Sequence, residues 1–443
     1  MLTDYDPIFY SRLLTSLTLA FHILFATIGV GIPFLIMVAH WVGIKKNDNH
    51  YLLLARRWAR GFVITVAVGV VTGTAIGLQL NLLWPQFMSF AQQVIALPFF
   101  LETFAFFIEA IFLGIYLYTW DRFKSKVTHF LLLLPVVIGS SASALFITMV
   151  NAFMNTPHGF TFIDGQLTSI QPIAAMFSPA MPTKVAHVLS SAYLTSAFLL
   201  AMLSAVAILR GRTHVYHKKA LHLTMTTAAI FAVSTAIIGD LSGKFLAEYQ
   251  PEKLAAAEWH FETSTEAPLL IGGVLTEDNE VKYALKIPWA LSILAHNDPY
   301  AEVTGLQEWP SELQPPLVVH YLFDGMIAIG IYLTIIAFAF VLFSRSKVMN
   351  QYNKLLLRCI IIGGPLALLA VELGWMFTEI GRQPWVVVGY MMTSEGATTA
   401  AHVDDMLLLF ASLYLLLGIT CLLVLYRMFS QYPVEQELKE RGF

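Results

Sequence analysis

Residues 359–385 read CIIIGGPLALLAVELGWMFTEIGRQPW, and this stretch decides the fold. From Cys359 to Phe377 it is almost entirely apolar, long enough to cross a bilayer as a helix, and it then meets Glu379 and Arg382. A carboxylate and a guanidinium three residues apart therefore stand where a membrane-length helix ends. That spacing suits a helix-end ion pair. It equally suits a functional site, because ionisable groups at membrane depth are expensive and usually carry a role.

The composition around this stretch agrees. The chain has 443 residues, of which 57% are hydrophobic and only 12% charged. A soluble domain carries about 25% charged residues. The chain reads as an all-α polytopic membrane protein. A formal net charge of −3, with no basic region set apart from the apolar segments, gives no support to nucleic-acid binding. Cys359 and Cys421 both lie in apolar runs, so neither a disulfide framework nor a thiolate metal motif is expected. Met1 to Pro7 carries Asp4 and Asp6 instead of a basic n-region, which argues against a cleavable signal peptide.

Nine transmembrane helices are predicted, over residues 16–43, 61–83, 96–119, 128–151, 184–209, 219–239, 317–343, 356–377 and 405–428. Runs this long and continuous are helices, not barrel strands. Basic residues follow the odd-numbered spans: Lys45, Lys46, Arg56, Arg57 and Arg60; Arg122, Lys124 and Lys126; Arg210, Arg212, Lys218 and Lys219; Arg345, Lys347, Lys354 and Arg358; Arg427, Lys439 and Arg441. By the positive-inside rule the N-terminus is outside and the C-terminus cytoplasmic. No internal repeat is evident, so residues 1–443 are expected to form one membrane domain. A long outer loop, 240–316, joins spans six and seven; between Lys244 and Pro316 it holds twelve Asp or Glu and four Lys. Loops of that length are uncommon unless functional. Within it, Pro251 to Trp259 reads as a short helix with Pro in its first turn.

Polar residues inside the spans narrow the function. Span one carries His22, span five His187 and span seven Met326, with Asp324 two residues earlier. Glu102 and Glu109 in span three are seven apart, nearly two turns, so they share a helix face, and Glu372 and Glu379 repeat that spacing in span eight. His22, His187, Met326 and Glu379 fall near the outer ends of four helices, as a cofactor layer requires, and a His/Met pair suits a low-spin electron-transfer haem. Each residue also has a plainer explanation. An intramembrane His is more often a packing or relay residue than a ligand, and Met is usually core filler. Two carboxylates on one buried face favour a proton path. Gly69, Gly73 and Gly77 form a small-residue face read as helix packing.

Taken together, these residues resemble subunit I of cytochrome bd-type quinol oxidases over essentially the whole chain. The resemblance rests on Ser11-Arg12-Leu13, His22 to Phe25, Gly73 to Gln79, Trp120-Asp121-Arg122, Asn151, Pro157, His187, Gly239-Asp240, Met326 and Gly381-Arg382-Gln383-Pro384-Trp385. It implies that His187 and Met326 are the axial pair of a low-spin haem b. His22 and Glu379 would be the single ligands of a high-spin haem b and a haem d, in an order the resemblance leaves open, with Trp375 and Arg382 positioning haems and their propionates. Lys253 and Glu258 would act in quinol oxidation, and Glu102 and Glu109 would be proton-path and haem-pocket carboxylates. It further implies O₂ as substrate, no copper, a second polytopic subunit with room for a small single-span one, and a bacterial plasma membrane location. Two departures stand out. The loop has the short form, which associates the chain with Gram-positive bacteria and menaquinol. Asp324 occupies a position that is Arg in some members, so a propionate contact there is not carried over.

The expected mechanism oxidises quinol at the outer face, releases its protons there, and draws the protons for water formation from the cytoplasm. Three rival classes fit less well. A secondary transporter usually shows a repeated half. A dehydrogenase anchor would use paired His ligands, and a channel has no need of a His/Met pair.

Overall fold

The computed structural model describes residues 5–276 and 279–440. Asp4, Glu277, Asp278 and Arg441, which entered the terminal and loop readings, lie outside the described residues. Among the described residues nine helices are long and apolar enough to span a membrane. They are α1 Pro7–Lys45, α2 Asn49–Leu83, α3 Pro85–Tyr118, α4 Lys126–Asn155, α5 Met181–Leu209, α6 Val215–Tyr249, α7 Val319–Arg345, α8 Lys354–Ile380 and α9 Val403–Gln431.

Several helices outrun the predicted apolar spans because polar residues continue or cap them. Asp6 caps α1, its carboxylate accepting from the amides of Ile8 at 2.9 Å and Phe9 at 3.2 Å. Asp48 caps α2 and Asn353 caps α8 in the same way. Among C-terminal ends the largest difference is at α6, which was expected to end at residue 239 and runs to Tyr249. Its extension carries an Asp240–Lys244 ion pair one turn apart. Hydropathy measures transfer into lipid, so it misses a helix that continues beyond the apolar span into a folded loop, where Phe245 and Leu246 are buried.

The principal packing partners are α1 with α2, α3 with α4, α5 with α6 and α8, and α7 with α8. α5 is the most enclosed span, and α9, on the outside against α1 and α2, is the least. Gly31 lets α1 cross α5 closely, since a Cβ there would lie 2.4 Å from the Ala192 carbonyl oxygen. The outward faces stay apolar: Phe100, Phe104, Ile111, Leu408, Leu415 and Leu422 are all exposed, as lipid or a partner's spans require.

The long loop has a core of its own. Its short helix Pro251–Ala257 forms as predicted, and Leu254 to Ala257 are buried with Leu291, Leu306, Val319 and Phe377. Two antiparallel strand pairs, Leu269–Ile271 with Leu285–Ile287 and Val274–Leu275 with Val281–Lys282, fold over the start of α7. The loop is thus seated on the N-terminal end of α7 and the C-terminal end of α8, not free in solvent.

Candidate functional site

Glu379 is the centre of a polar network drawn from three helices and the loop. Asn151 of α4 donates its amide to Glu379 Oε1 at 2.5 Å, and Lys184 of α5 donates Nζ to Asn151 Oδ1 at 2.9 Å. Arg382 pairs with the other Glu379 oxygen and donates to the Val386 carbonyl at 2.7 Å. The helix-end ion pair expected from the spacing is therefore present, inside a larger network. Lys253, 1% exposed, donates to the Thr378 carbonyl at 3.1 Å and lies 4.8 Å from the centroid of the Phe377 ring. Gly381 makes room for it, because a Cβ there would come within 2.7 Å of Lys253 Cε.

The two histidines are held differently. His22 Nδ1 lies 2.9 Å from Thr72 Oγ1, while that hydroxyl directs its proton to the Val68 carbonyl at 2.9 Å. Thr72 must then accept from Nδ1–H, which leaves the Nε2 lone pair for a metal, the usual arrangement of a ligating imidazole. Gly73 was expected to serve helix packing. It does so against α1: a Cβ there would approach His22 Cε1 to 3.2 Å, so Gly73 also clears space for the ring, and Gly77 has open space beside it. His187 presents a buried Nδ1 without a partner among the described residues, beside Gly239 of α6. Met326 approaches α8 at Gly374, where a Cβ would stand 3.0 Å from its sulfur. Trp375 sits on α8 one turn before Glu379 and is half-buried.

Glu102 and Glu109 share the face of α3 that packs on α4. Ser143 donates to Glu102 Oε1 at 2.7 Å, and Gly139 lies so close to Glu109 that a Cβ would be 2.9 Å from its backbone nitrogen. Glu109 is 5% exposed. Glu258, 2% exposed, is at the C-cap of the loop helix. Burial and the Asp324 carboxylate push it up to about 8. Burial pulls the Lys253 ammonium down to about 7, although the Glu379 carboxylate opposes this.

These donors suit haem iron. The set is imidazole, thioether and carboxylate, an imidazole nitrogen and Arg382 Nε are buried without partners among the described residues, and three basic side chains, Lys184, Lys253 and Arg382, lie around one carboxylate. Basic groups in excess over carboxylates suit anionic propionates. Asn151 stood in the sequence only as one of the residues carrying the resemblance, and Lys184 near Glu379 and Thr72 behind His22 had no sequence signal beyond polarity within an apolar run.

A membrane-spanning helical bundle that holds such donors within its helices fits the class of membrane proteins built around bound redox centres. The profile of the family cytochrome bd terminal oxidase subunit I matches residues 10–433. The chain belongs to that family and is a multi-pass protein of the bacterial plasma membrane. It is 40% identical over 439 residues to a provisionally named cytochrome bd menaquinol oxidase subunit I of Bacillus subtilis (strain 168), covering 98% of this chain and 99% of that protein. It is 30% identical over 424 residues to cytochrome bd ubiquinol oxidase subunit 1 of the same organism, covering 92% and 90%. A chain in the structure of bd oxidase from Geobacillus thermodenitrificans superposes with a TM-score of 0.94 at 64% identity, covering 98% of this chain and all of that one.

Proposed function

We propose that this chain is the haem-bearing subunit of a quinol:O₂ oxidoreductase that oxidises menaquinol at the outer face and reduces O₂ to water. The observation that carries this reading is the seating of the loop: Lys253 reaches the carbonyl of Thr378, the residue beside Glu379, at 3.1 Å. The buried Lys253 of the loop thus lies beside Glu379, a candidate haem ligand. The relatives named as menaquinol and ubiquinol oxidase subunits support the substrate class, and the short loop favours menaquinol.

His187 and Met326 would hold a low-spin haem b. His22 and Glu379 would hold a high-spin haem b and a haem d, with Trp375 and Arg382 beside them. Bound haem supplies one-electron transfer and the centre where O₂ is reduced. The reading invokes no copper, because its donors are those of iron porphyrins. Ionised Glu258 accepts a quinol proton and releases it to the outer phase, while the Lys253 ammonium has donors to spare for a quinol oxygen. Glu109 and Glu102 hold protons on their way from the cytoplasmic side, with Ser143 fixing Glu102. Two quinols give four electrons and release four protons outside; one O₂ takes those electrons and four protons from inside to form two waters. Charge therefore crosses the membrane. The basic clusters support an outer N-terminus and a cytoplasmic C-terminus. A second polytopic subunit and a small single-span one would cover part of the apolar exterior.

A dithionite-reduced minus air-oxidised spectrum of the purified complex, with haem extraction, tests this. A far-red chlorin band beside b-type bands is expected, and Met326→Leu should remove the low-spin b signal while sparing the others. Only b-type bands would keep the oxidase and strip haem d from it. A complex without haem would sink the reading.

A further inference from the structure

His320 has no place in the scheme above, yet its surroundings are unusual. It is 0% exposed and stands at the outer start of α7, six residues before Met326. Its Nδ1 lies 2.7 Å from the Ala257 carbonyl oxygen, and its Nε2 lies 3.1 Å from that of Gly272. A carbonyl only accepts, so both ring nitrogens must carry hydrogen, and the ring is an imidazolium. Its counter-charge is Asp324, one turn on, whose Oδ2 is 3.4 Å from Nε2 and also accepts from the Gly272 amide at 2.5 Å. Trp259 stacks on the ring with centroids 3.9 Å apart and donates its indole N–H to the Leu317 carbonyl at 2.9 Å.

These contacts meet at one point. Ala257 ends the short helix that carries Lys253, and the next residue is Glu258. Gly272 is the turn between the loop's first two strands. We infer that His320 is the positioning residue of the quinol site, a buried cation that clamps the loop helix and the strand turn onto the helix bearing Met326. The inference rests on the loop being the quinol site. Its physical basis is that hydrogen bonds from a charged donor are roughly twice as strong as neutral ones. A neutral ring could satisfy only one of the two carbonyls and would leave the other buried without a donor.

The test compares His320→Phe, which keeps a ring for Trp259 and loses both donors, with His320→Gln, which keeps one donor and no charge. Each variant is prepared as the assembled complex with its haem content checked. Amide hydrogen exchange is followed across 250–276, and quinol KM and kcat are measured separately. Exchange there should quicken by about tenfold or more in His320→Phe, and KM should rise about tenfold with kcat within about twofold. His320→Gln should fall between, and it decides alone if His320→Phe does not assemble. Unchanged exchange overturns the clamp. Quicker exchange with an unchanged KM overturns its role in quinol positioning. A wild-type complex that oxidises no quinol removes the loop reading itself, which separates the two failures.

Discussion

Glu109→Gln should lower turnover with quinol and O₂ by about a hundredfold while haem content and quinol KM stay at wild-type values. Glu109 is 5% exposed in the C-terminal half of α3, pressed against Gly139 of α4. Glutamine has the same shape and also forms hydrogen bonds, so packing survives. What it cannot do is gain and lose a proton at neutral pH. The measurement is steady-state O₂ consumption alongside pyridine haemochrome quantitation on the same preparation. Turnover equal to wild type would remove Glu109 from the proton path. Lost haem would instead give the residue a role in building the site. Glu102→Gln should have a smaller effect, because Glu102 is less buried and its Oε1 takes a hydroxyl from Ser143 at 2.7 Å.

Glu258→Gln should lower kcat/KM for quinol by about 10²–10³-fold and flatten its pH dependence. In the wild type the Glu258 carboxyl is moved from 4.5 to about 8 by burial and by the Asp324 carboxylate. If the ionised form takes the quinol proton, kcat/KM climbs about tenfold per pH unit below that value and levels above it. The same shift bears on stability with a definite sign. A carboxyl whose folded pKa is raised favours the folded state while protonated, so its contribution is complete below 4.5 and is lost as pH rises toward about 8. Loop stability should therefore fall over the range in which quinol oxidation accelerates, and Glu258→Gln should remove both trends. A wild-type rate that is flat from pH 6 to 8 would exclude Glu258 as the base.

How much of this was legible in the chain varies by element. The spans were legible because hydropathy along a continuous segment is a transfer free energy, which a bilayer reads one segment at a time. His22, His187, Met326 and Glu379 were visible as candidates for the same reason: a polar or thioether side chain stands out against an apolar background. Their assignment as ligands came from a resemblance and is carried here as a proposal. The end of α6 was missed because Asp240 and Lys244 stabilise a helix where lipid no longer acts. Gly73 does face the neighbouring helix α1, but small-residue spacing could not show that the room it leaves there is taken by the His22 ring.

By itself, then, the sequence determined the class of fold, the number of spans, the family and the polar side chains worth attention. Each of these follows from local composition or from motifs in register. Only the tertiary structure decided the partners: Asn151 and Lys184 around Glu379, Thr72 behind His22, Lys253 against Thr378, and His320 between two carbonyls. Each of those contacts joins residues at least 33 positions apart. Where buried polar groups from different helices meet is set by packing, and hydrogen bonds at 2.5–3.1 Å form only once the helices have settled against one another.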